Sequence, residues 1–249
     1  MIKTIHLHVK KTFAAIALLS IELLIVVVLF FISLGVFLAI ANKVFLQHKS
    51  EFDTDVFEFL KPYVSNMNTQ VMLFFTFMGT STFMLPANIL LIAYFVFVEK
   101  HRWYSIKIPV ISLTSLGLMT GLKELFNRSR PDIPLLNVAS GLSFPSGHAL
   151  TSVTFYGMLA YIVWERVKSP ALKWSLIFVL IVLIHLIGLS RIYLRVHYAS
   201  DVIAGFCVGL IWLVISLWIL RRLERFSHKK VDPVVKEEKP LEVSIQKSS

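Results

Sequence analysis

Six stretches of the chain are apolar almost without interruption: Leu23–Ala41, Met72–Val98, Ile108–Phe126, His148–Trp164, Leu172–Leu189 and Val202–Leu220. Most come close to the roughly 20 helical residues that cross a bilayer core of about 30 Å. The first extends back to Phe13 if Glu22 is tolerated; the fourth is short and starts polar. No stretch shows the period-two alternation of a β-barrel, which argues against that class. The pattern predicts an all-α polytopic membrane protein of six transmembrane helices. Between the first two spans, Ser50–Leu60 (SEFDTDVFEFL) reads as a short interfacial amphipathic helix rather than a surface loop. Phe52, Val56, Phe59 and Leu60 share a face, Ser50 with Asp53 has the capping-box pattern, and Pro62 follows the end.

Three parts follow from this pattern. Residues 1–22 form a cytoplasmic N-terminus and the start of an uncleaved first span, residues 23–220 the six-helix membrane domain, and residues 221–249 a cytoplasmic basic, polar tail. From about Phe226 the tail has mixed charge and two prolines and reads as disordered.

Composition sharpens the class. Hydrophobic residues are 56% of the 249 and charged residues 16%, against about 25% charged in a soluble domain. The only cysteine, Cys207, excludes a disulfide scaffold and reads as a packing residue. A formal net charge of +10 would suit nucleic-acid binding, but its placement argues otherwise. With the N-terminus inside, the inner segments hold 17 Lys and Arg and the outer segments 8. The excess is a positive-inside signal that puts both termini in the cytoplasm, and nucleic-acid binding drops out. Trp103, Trp164, Trp174 and Trp218 fall near inner ends as interfacial anchors.

Charge at membrane depth or at span ends is costly and marks function. The costly residues fall in three clusters. The first runs from Lys123 to Arg130-Pro131 (KELFNRSRP), the second is Pro145-Ser146-Gly147-His148 (PSGH), and the third runs from Ser190-Arg191 through His197 to Asp201 (SRIYLRVHYASD). With six spans all three emerge on the same outer face, where Lys123, Arg130 and Arg191 are three of the eight outer cations.

Together these clusters resemble the three signature motifs of the PAP2 superfamily, the type 2 phosphatidic acid phosphatases and their relatives. The resemblance covers roughly Asp53 to Leu220, with every fixed residue in order. One departure is Ala199, where many relatives have proline. The residues read independently toward the same chemistry. Lys123, Arg130 and Arg191 converge as phosphate-binding cations, with the N–H groups of Ser146 and Gly147 at a helix start completing an oxyanion cradle. His197 and Asp201, four apart, share a helical face. The carboxylate fixes the tautomer and leaves the other nitrogen to attack phosphorus, while His148, from another helix, serves as acid and base. The resemblance implies the same roles, with His197 the nucleophile of a phosphohistidine mechanism. Asn127, Arg128 and Arg195 flank the motifs, either reaching headgroup or leaving group or serving no chemical role. His185 reads as a hydrogen-bonded bundle residue.

The expected activity is metal-independent hydrolysis, without a cofactor, of a phosphomonoester or diphosphate on an outer-leaflet lipid. Phosphatidylglycerol phosphate, phosphatidic acid and undecaprenyl diphosphate are the substrates the resemblance implies. Partners are that lipid substrate and membrane lipids; no protein partner is implied. A plasma (inner) membrane location is expected, with the site facing the periplasm or outside and the loop Asn127–Phe144 shaping headgroup choice. A lipid phosphotransferase, a vanadium haloperoxidase and a non-catalytic lipid-phosphate binder or transporter are the alternatives.

Overall fold

The computed structural model describes residues 23–48, 50–132, 134–135 and 141–231. The extension of the first stretch toward Phe13 and the tail beyond residue 231 lie outside them. Among the described residues every regular element is helical. In chain order these are α1 (Leu23–Leu46), α2 (Glu51–Leu60), α3 (Asn66–Met78), α4 (Ser81–Val98), α5 (Arg102–Phe126), α6 (Gly147–Arg166), α7 (Pro170–Tyr193) and α8 (Ala199–Phe226).

Five of these, α1, α4, α5, α7 and α8, are long and apolar enough to cross a membrane. Helix α6 is not among the five, although it has 20 residues. It packs against α8, α7 and α5, so protein rather than lipid surrounds much of it. That position tolerates Ser152 and Thr154, both buried, whose hydroxyls donate to carbonyls one turn back in their own helix. Close approach of α6 and α8 rests on two glycines one turn apart. A β-carbon at Gly205 would stand 2.7 Å from the Ser146 carbonyl oxygen, and one at Gly209 2.8 Å from that of Leu150. This small-residue contact is the usual way membrane helices bring their backbones together. It seats the start of α6 beside the start of α8.

The second apolar stretch is not one helix. It breaks at Gly79-Thr80 into α3 and α4, because the Thr80 side chain accepts from the Phe83 N–H and starts a new helix. Gly79 is pressed against the bundle: a β-carbon there would lie 2.7 Å from Ile187 and 2.9 Å from the His148 ring. Near the start of α3, Ser65 and Thr69 meet the Tyr193 hydroxyl, and near its end Thr76 meets Arg191, only two residues away along α7. Helix α3 therefore runs across the end of α7, and α4 is the part long and apolar enough to cross a membrane.

Helix α2 forms where the amphipathic pattern places it, but the expected capping box does not. Ser50 makes no side-chain cap bond, and Asp53 is turned into the protein, 2% exposed. Tertiary partners outcompete the local bond. At the opposite end of the bundle Trp164 and Trp174 meet edge to face. There the ion pairs Lys107–Glu224, Arg166–Glu99 and Arg221–Glu165 tie α4, α5, α6 and α8.

Candidate active site

The three motif clusters meet at one end of the bundle, each delivered by a tight chain reversal. Asn127, in the left-handed region at φ 44°, ends α5 and turns Arg128 and Arg130 back over the bundle. The loop before α6 is pinned at two points, by the Ser143 N–H to the Arg128 carbonyl (2.8 Å) and the Ser146 N–H to the Asp201 carbonyl (3.0 Å). After α7 the N–H groups of Val196 and His197 both return to the Arg191 carbonyl, at 3.2 and 3.3 Å. Two non-local bonds and one local clamp thus hold all three segments in register.

His197 is 1% exposed. Its Nδ1 stands 3.5 Å from Asp201 Oδ2, an open distance of the kind that tightens once substrate binds. Its Nε2 is 3.3 Å from Arg130 Nη1. A guanidinium only donates, so Nε2 accepts and the ring proton belongs on Nδ1, toward the carboxylate. Asp201 Oδ2 also accepts from the Ser143 hydroxyl and from the Tyr198 N–H. Burial pushes the His197 imidazole down to about 4; Asp201 opposes that shift, and Arg130 and Arg191 add to it. The ring is neutral at neutral pH, with a lone pair on Nε2.

The three cations hold their loops and keep donors to spare. Lys123 Nζ donates to the Leu142 carbonyl, and Arg130 to the carbonyls of Gly141 (3.0 Å) and Val196 (2.8 Å). Arg191 Nη1 donates to the Thr76 hydroxyl at 2.6 Å. Among the described residues the buried atoms Arg191 Nε and His148 Nε2 have no hydrogen-bond partner. His148 lies within electrostatic reach of Arg191, His197, Arg130 and Lys123. Two buried polar atoms without partners, within electrostatic reach of Lys123 and Arg130, are donors left over for an anion.

One expected contributor is otherwise occupied. The Ser146 N–H is spent on Asp201, and the Ser146 hydroxyl caps α6 by accepting from the Ala149 N–H at 3.5 Å. The N–H groups of Gly147 and His148, first in α6, have no acceptor among the described residues. The donor pair at the positive helix end is therefore shifted by one residue. A β-carbon at Gly147 would sit 2.5 Å from the Met119 sulfur, so that flexible side chain would have to shift to admit one.

Four polar residues at the site belong to no motif position named above. Arg128 faces inward, bridging Asp201 (2.6 Å) and Asp53 (2.8 Å) under the Tyr198 ring, so it does not reach outward to a headgroup. Asp53, Ser143 and Thr76 complete the set. Asp53 and Thr76 come from α2 and α3, 75 and 115 residues from Arg128 and Arg191, and no spacing rule could have found them. Arg195 stacks instead over Phe57. His185 is exposed on the bundle, with Nδ1 donating to the Ile181 carbonyl of its own helix.

The chain is similar to known proteins in sequence and in fold. The family model described as "PAP2 superfamily" matches residues 105–225. Phosphatidylglycerophosphatase B of Bacillus subtilis (strain 168) is 31% identical over 161 residues, 64% of this chain and 79% of that protein. The chain belongs to the PAP2 superfamily. A solved structure similar to it is the crystal structure of a transmembrane PAP2 type phosphatidylglycerolphosphate phosphatase from Bacillus subtilis, matched at TM-score 0.71 and 28% identity over 81% of this chain and 98% of that one. The Escherichia coli (strain K12) protein YbjG, provisionally named an undecaprenyl-diphosphatase, is 34% identical over 45% of this chain and 54% of its own length. This PAP2 protein is a multi-pass membrane lipid phosphatase, a hydrolase. Among its described residues no group of three or more His, Cys, Asp or Glu could hold a metal ion.

Proposed function

We propose that the protein removes the terminal phosphate from a lipid phosphomonoester or diphosphate in the outer leaflet, in two displacements at His197. In the first, His197 Nε2 attacks phosphorus while Asp201 steadies the proton on Nδ1. The bond to the leaving oxygen breaks, and His148 supplies the proton that lets the lipid alcohol or lipid monophosphate depart. In the second, His148 takes a proton from water, whose oxygen displaces the histidine and releases inorganic phosphate. Lys123, Arg130, Arg191 and the N–H groups opening α6 hold the phosphoryl oxygens throughout. Three fixed cations supply the charge that a divalent ion supplies elsewhere.

The observation that carries this reading is His197 Nε2 accepting from Arg130, with the buried His148 Nε2 and Arg191 Nε of the same motif clusters left without partners. Kinship with a protein named phosphatidylglycerophosphatase B favours phosphatidylglycerol phosphate as the first substrate to test. We place both termini in the cytoplasm and count α6 with the five apolar helices as a sixth span, since the basic residues are biased to the side opposite the site. Helix α2 then lies at the outer interface.

The test is phosphate release by purified protein from phosphatidylglycerol phosphate, phosphatidic acid and undecaprenyl diphosphate, with and without a chelator. Release from at least one, unaffected by chelation and abolished in His197→Ala, is the expected result. Activity that survives in His197→Ala overturns the mechanism, and label passing from donor lipid to a second lipid, instead of to water, identifies a phosphotransferase.

A further inference from the structure

Asp201 uses its two oxygens differently. Oδ2 faces His197, Ser143 and Tyr198, while Oδ1 is held by Arg128 Nη1 at 2.6 Å. What fixes the other arm of Arg128 lies outside the motifs. Its Nη2 donates to Asp53 Oδ2 at 2.8 Å, and its Nη1 also reaches the Ser200 hydroxyl at 2.8 Å. Asp53 in turn accepts from the Ser200 hydroxyl (2.6 Å) and from the Ser200 N–H (2.8 Å) in the first turn of α8. The guanidinium is sandwiched against the Tyr198 ring at 4.0 Å. Asp53 and Asp201 are 2% and 0% exposed. A buried carboxylate, contributed by a helix that otherwise stands outside the motif-bearing core, therefore sets the second partner of the histidine's orienter.

We propose that Asp53 is a positioning residue for the hydrolysis, aiming the Arg128 fork so that Asp201 presents Oδ2 to His197 Nδ1. The proposal rests on the reading of His197 as nucleophile. A fork between two carboxylates has one geometry, and removing either carboxylate leaves the guanidinium free to swing within the other's lone pairs. It also makes α2 part of the catalytic apparatus: the hydrolytic site is complete only with α2 seated against α7 and α8. A purely mechanical staple between α2 and α8 would use the same bonds, but would not care which way Asp201 points.

Three variants separate these cases: Asp53→Asn, Arg128→Lys, which keeps the charge and loses the fork, and Arg128→Ala. In each, kcat, KM and the amount of trapped phosphohistidine are read on protein that elutes as the parent does. The expected result is a kcat lower by roughly tenfold to a hundredfold, the scale of a ~1 Å misalignment, with KM within about threefold, as when an interaction matters chiefly in the transition state. Millimolar guanidinium should restore part of the rate in Arg128→Ala and none in Asp53→Asn/Arg128→Ala. If Asp53→Asn does not fold, Arg128→Lys still decides. Asp53→Asn or Arg128→Lys with kcat within about twofold of the parent, or equal rescue of the single and double variants, overturns the proposal. His197→Ala run alongside keeps the two readings apart: its activity tests the nucleophile, and theirs the fork.

Discussion

The two ring nitrogens of His197 meet opposite demands, since Nδ1 looks at a carboxylate and Nε2 at a guanidinium. A protonated ring would satisfy Asp201 and clash with Arg130. Burial decides, and the imidazole is held down to about 4. Because the neutral form is the nucleophile, a lowered value keeps His197 competent at every pH above about 4 and idle only below it. The acid limb of kcat/KM, which reports the free enzyme, should lie below pH 5 instead of near the ordinary histidine value of about 6.5. An NMR titration of the His197 ring, assigned by its loss in His197→Gln, separates this limb from the second ionisation of the phosphate near pH 6; a midpoint above 6 would contradict the assigned environment. At this scale the motifs were legible because costly residues are few in an apolar chain. Asp53 and Thr76 were not, since a lone carboxylate on an amphipathic helix and a threonine in an apolar run are ordinary until their partners appear. The Ser50–Asp53 pattern misled for the same reason, a local cap losing to a buried guanidinium.

The PSGH loop leads into α6, and Asp201 lies in the first turn of α8. His197 stands in the turn before that helix, so it does not share a helical face with Asp201 as their spacing predicts. The spacing of α6 and α8 still sets the distance between acid and nucleophile. Gly205 sits at the closest point, against the Ser146 carbonyl. On helix propensity alone, Gly205→Ala should stabilise α8 by roughly 0.5–1 kcal/mol. Overpacking against backbone costs about 1–3 kcal/mol and cannot be relieved by a rotamer change. The expected outcome is a lower melting temperature in detergent together with reduced phosphate release. A rise in melting temperature would mean that the helices can part without cost. Hydropathy located five spans and the core helix well. It merged α3 with α4, because apolar residues run unbroken across Gly79-Thr80 and the break is made by a cap and a close approach, neither of which changes mean hydropathy.

Across the whole molecule, the end bearing the site and the end bearing Trp103, Trp164, Trp174 and Trp218 are chemically distinct. The first concentrates its charge in the contacts of Arg128, Arg130, Arg191 and Asp201, and the second spreads ion pairs among helix ends beside indole rings. An outward-facing site requires α2 outside and the α6–α7 connection inside. Since Cys207 is the only cysteine and is buried, a Cys207→Ala background permits single-site labelling. Asp55 on α2 and Lys168 between α6 and α7 are both exposed. In intact cells a membrane-impermeant maleimide should label Asp55→Cys and spare Lys168→Cys, and lysis should make both reactive. The opposite pattern would turn the site toward the cytoplasm and make an inner-leaflet lipid the substrate, while leaving the chemistry at His197 as it stands. The positive-inside bias argues for the first outcome on energetic grounds: 17 basic residues against 8 is a large asymmetry to carry across a bilayer in the wrong sense.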